Sequence, residues 1–305
     1  MQNFLSIADF DRAGLLEVLE IAATQKRKVF SQLLLNQNLA LLFEKPSLRT
    51  KASFEVGVRE LGGATSFFGP GECGVLGERE SIQDFARVIS NYYDAVVARV
   101  YSHVALEKFA LSSNVPVINA LSDREHPCQI LADLLTIREY LGRVENFKLA
   151  FLGDGNNVAL SLALAAEILN FKFTLAGPQS YFLPYPQIEQ TENLAAALTN
   201  ADVVYTDTWI SMGAEAAASE RERAFSAYQL NAAALRQANS GALVLHCLPA
   251  HRGQEITDEV LDGPQSVVIR QAANRLPVQK ALLIKLLQWV WSFPLACFFL
   301  AGGSE

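Results

Sequence analysis

Short apolar segments alternate with helical segments along most of this chain, and that alternation is the strongest constraint on its fold. Runs such as Leu39–Phe43, Ala95–Val100 and Lys148–Leu152 are typical of buried strands. Between the strands lie segments with apolar residues at helical spacing, such as His126–Leu141 and Asn157–Leu169. Strands that alternate with helices are typical of parallel sheets covered on both faces. We therefore predict an α/β fold with two domains, each containing a parallel sheet flanked by helices.

The predicted elements form two series that meet near residue 142. The length of 305 residues also favours two domains, because one domain usually has about 100–200 residues. We place the boundary at the polar segment Gly142–Asn146, so the predicted domains are residues 1–142 and 143–275. Residues 276–305 are predicted to form a C-terminal helix that returns to the first domain, followed by an apolar tail. The predicted strands are 39–43, 64–68, 95–100, 115–118, 148–152, 171–176, 202–205 and 242–246, and the predicted helices are 8–27, 47–61, 81–92, 126–141, 157–169 and 276–291.

The chain is acidic and rich in apolar residues. Its net charge is −7, with 50% hydrophobic and 19% charged residues, which excludes an intrinsically disordered chain. An acidic chain attracts neither nucleic acid nor an anionic membrane, so we expect neither as a partner, and an anionic substrate would need a locally basic pocket. The four cysteines show no CxxC spacing and the first residues lack the pattern of a signal peptide, which favours reduced thiols and a cytoplasmic location.

One apolar run lies near the end of the chain and resembles part of a membrane-spanning segment. Residues 286–300 carry no charge, but the run has only 15 residues and contains Pro294, whereas a helix needs about 20 apolar residues to span a membrane. We expect a terminal helix that ends near Trp291 and an apolar tail that packs or oligomerises. A membrane-associated interaction protein is the weakest alternative, since it rests on this run alone.

A phosphate-binding pattern follows the first predicted strand. Ser47, Leu48, Arg49 and Thr50 stand at a predicted helix start, after Pro46. Helix N-termini present free N–H groups and a positive dipole to anions, and the hydroxyls and the guanidinium add further donors. Helix capping by Ser47 alone is the alternative interpretation.

Two further basic residues occupy positions typical of ligand-binding sites. Arg99 ends the apolar strand at 95–100, and parallel sheets bind ligands at the carboxyl ends of their strands. His126 precedes Pro127 at a helix start, where the dipole disfavours its protonated form, so it can act as a neutral donor. A capping histidine without a ligand is the alternative for His126.

Three more segments follow strands in the second half of the chain. Gly153–Asn157 resembles a nucleotide-binding turn but lacks the third glycine of that motif, so a tight turn with free asparagine side chains is the better interpretation. Asp207 can pair with an ammonium group, with Ser211 beside it. His246 and Cys247 suggest zinc or a nucleophile, but adjacent residues on a strand point to opposite faces, and a second Cys pair is missing. We therefore predict that no metal binds.

Together these segments resemble the aspartate/ornithine carbamoyltransferase family, in the family's order and through nearly the whole chain. The segments DTWISMG and HCLPAHRG are typical of the members that use ornithine. The matching segments are FEKPSLRTKASFE at 43–55, ESIQDFARVIS at 80–90, ARVY at 98–101, HPCQILADLLTI at 126–137, LGDGNN at 152–157, DTWISMG at 207–213, HCLPAHRG at 246–253, DEVLDGPQSVV at 258–268 and ANR at 273–275.

The resemblance implies an enzyme that transfers the carbamoyl group of carbamoyl phosphate to the δ-amine of L-ornithine, giving L-citrulline and phosphate. It implies direct attack of the amine, stabilisation of an oxyanion and no cofactor, in arginine metabolism. It also implies a homotrimer or a multiple of one. Residues 1–142 would bind carbamoyl phosphate and residues 143–275 would bind ornithine.

The resemblance also assigns roles to residues of the predicted site. The implied catalytic residues are Arg99, His126, Cys247 and Thr50. The implied carbamoyl-phosphate-binding residues are Ser47, Leu48, Arg49, Thr50, Arg99, His126, Gln129, Cys247, Leu248 and Arg275. The implied ornithine-binding residues are Asn157, Asp207, Ser211 and Met212.

Three features depart from the family pattern. Leu48 replaces a more usual Thr, and the connection 177–193 is short enough that we expect a loop or a stub of helix there. In the loop 74–80, Val75 stands where the family brings a Gln into the neighbouring subunit's site, and Arg79 is a candidate substitute. These features leave two alternatives: a carbamoyltransferase for a related amine, such as putrescine or an acylated ornithine, and a non-catalytic paralogue.

Overall fold

Two parallel sheets form the framework of the protein. The structure is a computed structural model that describes residues 2–26, 31–210 and 218–288. The first sheet has the strand order β2-β1-β3-β4 and the second has the order β7-β6-β5-β8-β9. All adjacent strands in both sheets are parallel. The strands are β1 Asn38–Phe43, β2 Ala64–Phe68, β3 Ala95–Arg99, β4 Val117–Leu121, β5 Lys148–Leu152, β6 Lys172–Ala176, β7 Glu189–Thr191, β8 Val203–Thr206 and β9 Leu243–His246.

Helices cover both sheets, so the predicted α/β class is confirmed. Every residue of β3 is buried, as is every residue of β1 after Asn38, because helices cover both faces of each sheet. The helices of the first half are α1 Arg12–Thr24, α2 Leu48–Glu60, α3 Pro70–Cys73, α4 Ile82–Ile89, α5 His103–Ser112 and α6 Pro127–Leu141. The helices of the second half are α7 Asn157–Leu169, α8 Leu194–Leu198, α9 Ala218–Phe225, α10 Ala232–Leu235, α11 Asp258–Leu261, α12 Val268–Ala273 and α13 Arg275–Gln288.

Helix α6 joins the two halves of the molecule. All of its residues from Pro127 to Ile137 are buried, since it contacts β4 of the first half and α7 of the second. The helix ends at Gly142, whose φ of 72° lies in the left-handed region that favours glycine. Helix α13 then packs on α1, α2 and α6.

Side-chain caps fix the starts of the two helices that follow β1 and β5. The Ser47 hydroxyl accepts a hydrogen bond from the Thr50 N–H at 3.3 Å, which starts α2. The Asn156 side chain accepts from the N–H groups of Val158 and Ala159 at 3.0 Å each, which starts α7. Both helices therefore begin at the carboxyl edge of a sheet, where the unpaired N–H groups of a first turn are available to a ligand.

The sequence prediction omitted strand β7 and helices α3, α5 and α8 to α12, and it placed β4 at 115–118 instead of Val117–Leu121. The connection 177–193 contains a 3₁₀ turn, Gln179–Tyr181, which fits the expected stub of helix, but it also contains the edge strand β7, which the prediction omitted. The side chain of Gln190 holds this strand in place by accepting from Leu183 N–H at 2.7 Å and donating to Leu183 O at 3.0 Å. Helix α5 was also missed, because Val104 and Leu111 are apolar but 56% and 87% exposed, which obscures the helical pattern.

The predicted apolar tail lies mainly outside the described residues. Helix α13 is described to Gln288, so residues 289–300 of the apolar run and the expected helix end near Trp291 are not described. Among the described residues, no helix combines the length and the apolar character that a membrane crossing requires.

A buried ion pair fastens α13 to α2. Lys280 is fully buried and its Nζ lies 2.9 Å from Oε2 of Glu60, which is also buried. Removal of one member of such a pair leaves an uncompensated buried charge. The pair links residues 220 positions apart in the chain, so it holds the first helix after β1 against the last described helix.

We predict that Lys280→Met lowers the free energy of unfolding by about 3–5 kcal/mol, because Glu60 is left buried without its partner. Urea denaturation would measure the loss. The double variant Glu60→Gln/Lys280→Met should recover most of it, and Arg12→Met, which removes an exposed pair with Glu145, should cost less than about 1 kcal/mol. Equal losses in Lys280→Met and Arg12→Met would contradict this interpretation.

Candidate active site

A cavity of about 340 Å³ lies where the carboxyl ends of strands from both sheets meet. Its walls come from the segments that follow β1, β3, β4, β8 and β9 and from the first turns of α2 and α7. This is the edge at which parallel α/β sheets bind ligands. Most of the predicted site residues line the cavity: Ser47, Leu48, Arg49, Thr50, Arg99, His126, Asn157, Asp207, Cys247, Leu248 and Arg275.

The turn at the start of α2 has the geometry of an anion site. The Ser47 hydroxyl donates to Thr50 Oγ1 at 2.9 Å, so the two hydroxyls are held side by side at the helix N-terminus. The Leu48 side chain is 82% exposed, so this residue offers the cavity its backbone more than its side chain. The replacement of a hydroxyl residue by Leu48 therefore leaves the N–H groups of the turn in place.

Three arginines place unbalanced positive charge in the cavity. Among the described residues, none of Arg49, Arg99 and Arg275 lies within 4 Å of a carboxylate. Burial, with the charge of Arg275 next in size, lowers the pKa of Arg99 to about 10, and its buried Nε bonds to no group in the described part of the chain. Buried guanidinium groups require a partner, so this arrangement indicates an anionic ligand.

A hydrogen bond to Gln129 helps to fix the position of the Arg275 side chain. Its Nη1 donates to Gln129 Oε1 at 2.8 Å and its Nη2 donates to Thr50 Oγ1 at 3.2 Å. The Gln129 amide then donates to Asp133 Oδ1 at 2.8 Å. Gln129 is not among the residues that line the cavity, but its hydrogen bond to Arg275 places its amide next to a residue that does.

His126 occupies the N-cap position of α6 and is buried. Its backbone N–H donates to Ser161 Oγ at 3.0 Å, and no described residue bonds to its buried Nδ1. Burial, followed by the charges of Arg275 and Arg99, lowers the pKa of His126 well below its usual value. The imidazole is therefore neutral near pH 7, as the sequence predicted, and it can donate a hydrogen bond without carrying charge.

Asp207 and Cys247 form the acidic side of the cavity. The Cys247 thiol donates to Asp207 Oδ1 at 2.8 Å, and Asn156 Nδ2 donates to Asp207 Oδ2 at 2.7 Å. Burial and then the charge of Asp207 raise the pKa of Cys247 well above its usual value, so the sulfur is a thiol. Beside them, Asn157 donates to Ser122 O at 2.7 Å, which fixes the direction of its amide.

His246 was predicted to point away from Cys247, and that argument is wrong. Strand β9 ends at His246, so strand alternation does not continue to Cys247, and ligand atoms of Asp207, His246 and Cys247 lie within 4.8 Å of one another. Both imidazole nitrogens are nevertheless engaged: Nε2 lies 3.0 Å from Glu255 Oε1, and Nδ1 accepts from Leu248 N–H at 2.9 Å. A metal ion could bind His246 only if it replaced one of these two hydrogen bonds.

The sequence indicated four further residues of interest, Ser211, Met212, Val75 and Arg79. Ser211 and Met212 lie outside the described residues. Neither Val75 nor Arg79 lines the cavity; Arg79 donates to the backbone carbonyl of Glu72 at 3.1 Å.

Sequence reasoning missed Lys45, which lines the cavity and whose Nζ lies 4.3 Å from the centre of the Tyr101 ring. Burial, with the charge of Arg99 next in size, lowers the pKa of Lys45. The sequence feature that could have identified Lys45 is its position between the end of the first strand and the pattern at Ser47–Thr50.

Comparison with known families identifies both halves of the chain. Residues 2–139 match the model of the aspartate/ornithine carbamoyltransferase carbamoyl-P binding domain. Residues 145–286 match the model of the aspartate/ornithine carbamoyltransferase Asp/Orn binding domain. The chain belongs to the aspartate/ornithine carbamoyltransferase family.

Individual relatives are similar over nearly their whole length. The ornithine carbamoyltransferase of Archaeoglobus fulgidus is 46% identical over 302 residues, which is 94% of this chain and 98% of the relative. The solved structure of ornithine carbamoyltransferase from Pyrococcus furiosus is 40% identical with a TM-score of 0.90, covering 94% of this chain and 97% of that one. The anabolic ornithine carbamoyltransferase of Campylobacter jejuni is 37% identical with a TM-score of 0.90, covering 95% and 100%.

We predict that Cys247 reacts slowly with iodoacetamide at pH 8, at least about tenfold more slowly than a free cysteine, because each unit of pKa elevation costs tenfold in thiolate. Mass spectrometry of the labelled peptide would give the rate. Asp207→Asn should accelerate the reaction, since the Asp207 carboxylate helps to raise the pKa of this thiol. Labelling of the unchanged protein at the rate of free cysteine would contradict a raised pKa for the Cys247 thiol.

Proposed function

We propose that this protein transfers the carbamoyl group of carbamoyl phosphate to the δ-amine of L-ornithine and releases L-citrulline and phosphate. The observation that carries the proposal is the polarity of one cavity. Arg49, Arg99 and Arg275, which have no carboxylate within 4 Å in the described part of the chain, lie with the anion-binding turn. Asp207 lies in the wall of the same cavity. A phosphate-bearing substrate fits the basic side, and an amino acid with a free α-ammonium fits the acidic side.

The phosphate group of the first substrate binds to the start of α2. Ser47, Arg49 and Thr50 supply side-chain donors there, Leu48 supplies its backbone, and Arg275 adds charge. The carbamoyl oxygen faces Arg99, His126 and Thr50, which stabilise the oxyanion that forms when the amine attacks. Because His126 is neutral, it donates a hydrogen bond without repelling the adjacent arginines.

The second substrate binds to the acidic side of the cavity. Asn157 holds the α-carboxylate of ornithine, and Asp207 holds its α-amino end together with Ser211 and Met212. The backbone carbonyls of Cys247 and Leu248 accept from the carbamoyl NH₂ group, and Gln129 helps to fix the same group. Positioning two substrates in one cavity supplies most of the acceleration.

The amine must lose a proton before it attacks, because an alkylammonium has a pKa of about 10, judged by lysine. The Cys247 thiol is a poor base, since its proton is already donated to Asp207. The ammonium releases its first proton to solvent before the attack, and the nitrogen loses a second proton as the carbon–nitrogen bond forms. We assign the second proton to the departing phosphate, which takes the electron pair of the carbon–oxygen bond as that bond breaks. Cys247 contributes its backbone carbonyl and keeps Asp207 in place.

The arrangement of the chain follows from these roles. We propose that residues 1–142 form the carbamoyl-phosphate-binding domain and residues 143–275 the ornithine-binding domain, with 276–305 returning to the first. The enzyme works as a homotrimer or a multiple of one, without a cofactor or a metal. A cytoplasmic location suits Cys73, Cys128 and Cys247, which are free thiols.

Citrulline production by the purified protein tests the proposal directly. The assay supplies carbamoyl phosphate with ornithine, putrescine or N-acetylornithine. We expect turnover with ornithine only. Turnover with another amine alone would show that Asp207 does not hold the α-amino group of ornithine. Carbamoyl phosphate binding without turnover would favour a non-catalytic paralogue, and Val75 would be the first residue to test as the cause.

We predict that Arg99→Gln lowers kcat by about 10²–10³, the usual cost of removing one oxyanion donor. The matched control is Arg124→Gln, since Arg124 is exposed and lies 3.9 Å from Glu107; its kcat should stay within about twofold, as expected for an exposed pair. Steady-state kinetics at saturating substrates measures both. An Arg99→Gln enzyme with unchanged kcat would remove this residue from the oxyanion site.

A further inference from the structure

A buried carboxylate lies behind the cavity wall and joins three elements. Asp133 is fully buried on α6, one turn after Gln129. Its Oδ1 accepts from Gln129 Nε2 at 2.8 Å and from Gln271 Nε2 of α12 at 2.7 Å. Its Oδ2 accepts from the hydroxyl of Tyr205 on β8 at 3.1 Å. Three donors from both halves of the molecule therefore meet on one side chain that does not line the cavity.

Two chains of hydrogen bonds, which we call arms, lead from Asp133 to opposite sides of the cavity. Through Gln129 it reaches Arg275, which donates to Thr50 at the phosphate-binding turn. Through Gln271 it reaches β9, because Gln271 Oε1 accepts from the backbone N–H of His246 at 2.9 Å. His246 immediately precedes Cys247, which lines the acidic side.

We infer that Asp133 is a positioning residue for the proposed carbamoyl transfer: it holds the arginine of the phosphate side and the Cys247 turn of the acidic side at a fixed separation. The inference rests on the proposed function for its chemistry, but the hydrogen-bonded chain is a property of the structure. Asp133 contacts neither substrate in this scheme and acts only through Gln129 and Gln271.

Physical considerations support this role over simple filling of the core. Burial raises the pKa of Asp133 to about 7, so an ionised carboxylate costs free energy at this site unless its donors compensate. The donors are arranged for the ionised form, since all three bond to carboxylate oxygens. An apolar side chain would avoid the cost but would leave the buried amide of Gln129 without its acceptor, and the amide of Gln271 would keep only the Tyr205 hydroxyl at 3.1 Å.

The test compares Asp133→Ala with Asp133→Asn in the full-length protein. Asparagine can keep both glutamine bonds on Oδ1, and its amide can face Tyr205, whose hydroxyl is also an acceptor. We expect Asp133→Ala to lower kcat/KM about 100-fold, the cost typical of a misplaced reacting group, with KM raised for both substrates. The kcat/KM of Asp133→Asn should stay within about tenfold of that of the unchanged enzyme.

A matched control separates positioning from stability. Thr174→Val removes a buried hydroxyl on β6 that bonds to Glu189 at 3.2 Å, away from the cavity. Its folded fraction should retain unchanged KM values and kcat. Near-normal kinetics in folded Asp133→Ala would overturn the inference, and so would equal losses in the Ala and Asn variants, because the charge rather than the hydrogen bonds would then be responsible.

A second variant keeps the test decisive if Asp133→Ala does not fold. Gln271→Met cuts only the arm to β9 and keeps the length of the side chain. We expect it to lower kcat with ornithine at least tenfold, while the affinity for inorganic phosphate, measured by calorimetry, stays within about twofold because the arm to Arg275 is intact. Unchanged kcat, or a parallel loss of phosphate affinity, would contradict two separable arms.

Phosphate binding also distinguishes failure of the inference from failure of the proposed function. If the unchanged protein makes no citrulline, the proposed function fails, but calorimetry with inorganic phosphate still tests the first arm. Asp133→Ala should then weaken phosphate binding about tenfold, the loss of roughly one hydrogen bond, whereas Thr174→Val should not. Equal phosphate affinity in all three proteins would overturn the inference independently of activity.

Discussion

The burial of α6 from Pro127 to Ile137, where the helix contacts elements of both halves of the molecule, is the constraint on which the rest of the structure depends. Its first turn delivers His126 to the cavity, and its next turns carry Gln129 and Asp133 beneath it. Since the helix contacts both halves, a shift of α6 would move groups on both sides of the cavity together. The site is therefore assembled by one rigid element that both sheets share, rather than by two surfaces that happen to face each other.

Electrostatics complements this arrangement. The chain as a whole carries a net charge of −7, yet Arg49, Arg99 and Arg275 concentrate positive charge at one edge of the sheets. Burial strengthens the interactions of Arg99 and Arg275, because the local dielectric is lower than that of water. It also keeps His126 neutral and Cys247 protonated. The same physical cause thus sets the charge states of the cavity groups and their attraction for an anion.

The sequence predicted most of the framework, because buried parallel strands leave continuous apolar runs and capped helices leave sharp boundaries. The bounds of β2, β5 and α7 agree with the prediction, whereas α5 was lost to its exposed apolar residues. Site residues at strand ends, such as Arg99, were predictable from position alone. The hydrogen bond from Arg275 to Gln129 was not predictable, because it joins residues 146 positions apart that only the folded structure brings together.

The link between α13 and α2 has a consequence for the order of folding. Glu60 finds its partner in Lys280, which the ribosome adds 220 residues later. During synthesis the first sheet can form its strand pairs early. Helix α2, whose first turn we propose to bind phosphate, stays without its final support until the second sheet has been made. Pairings of such long sequence separation are slow to form. The anion site is thus among the first parts of the chain to be synthesised and among the last to become rigid.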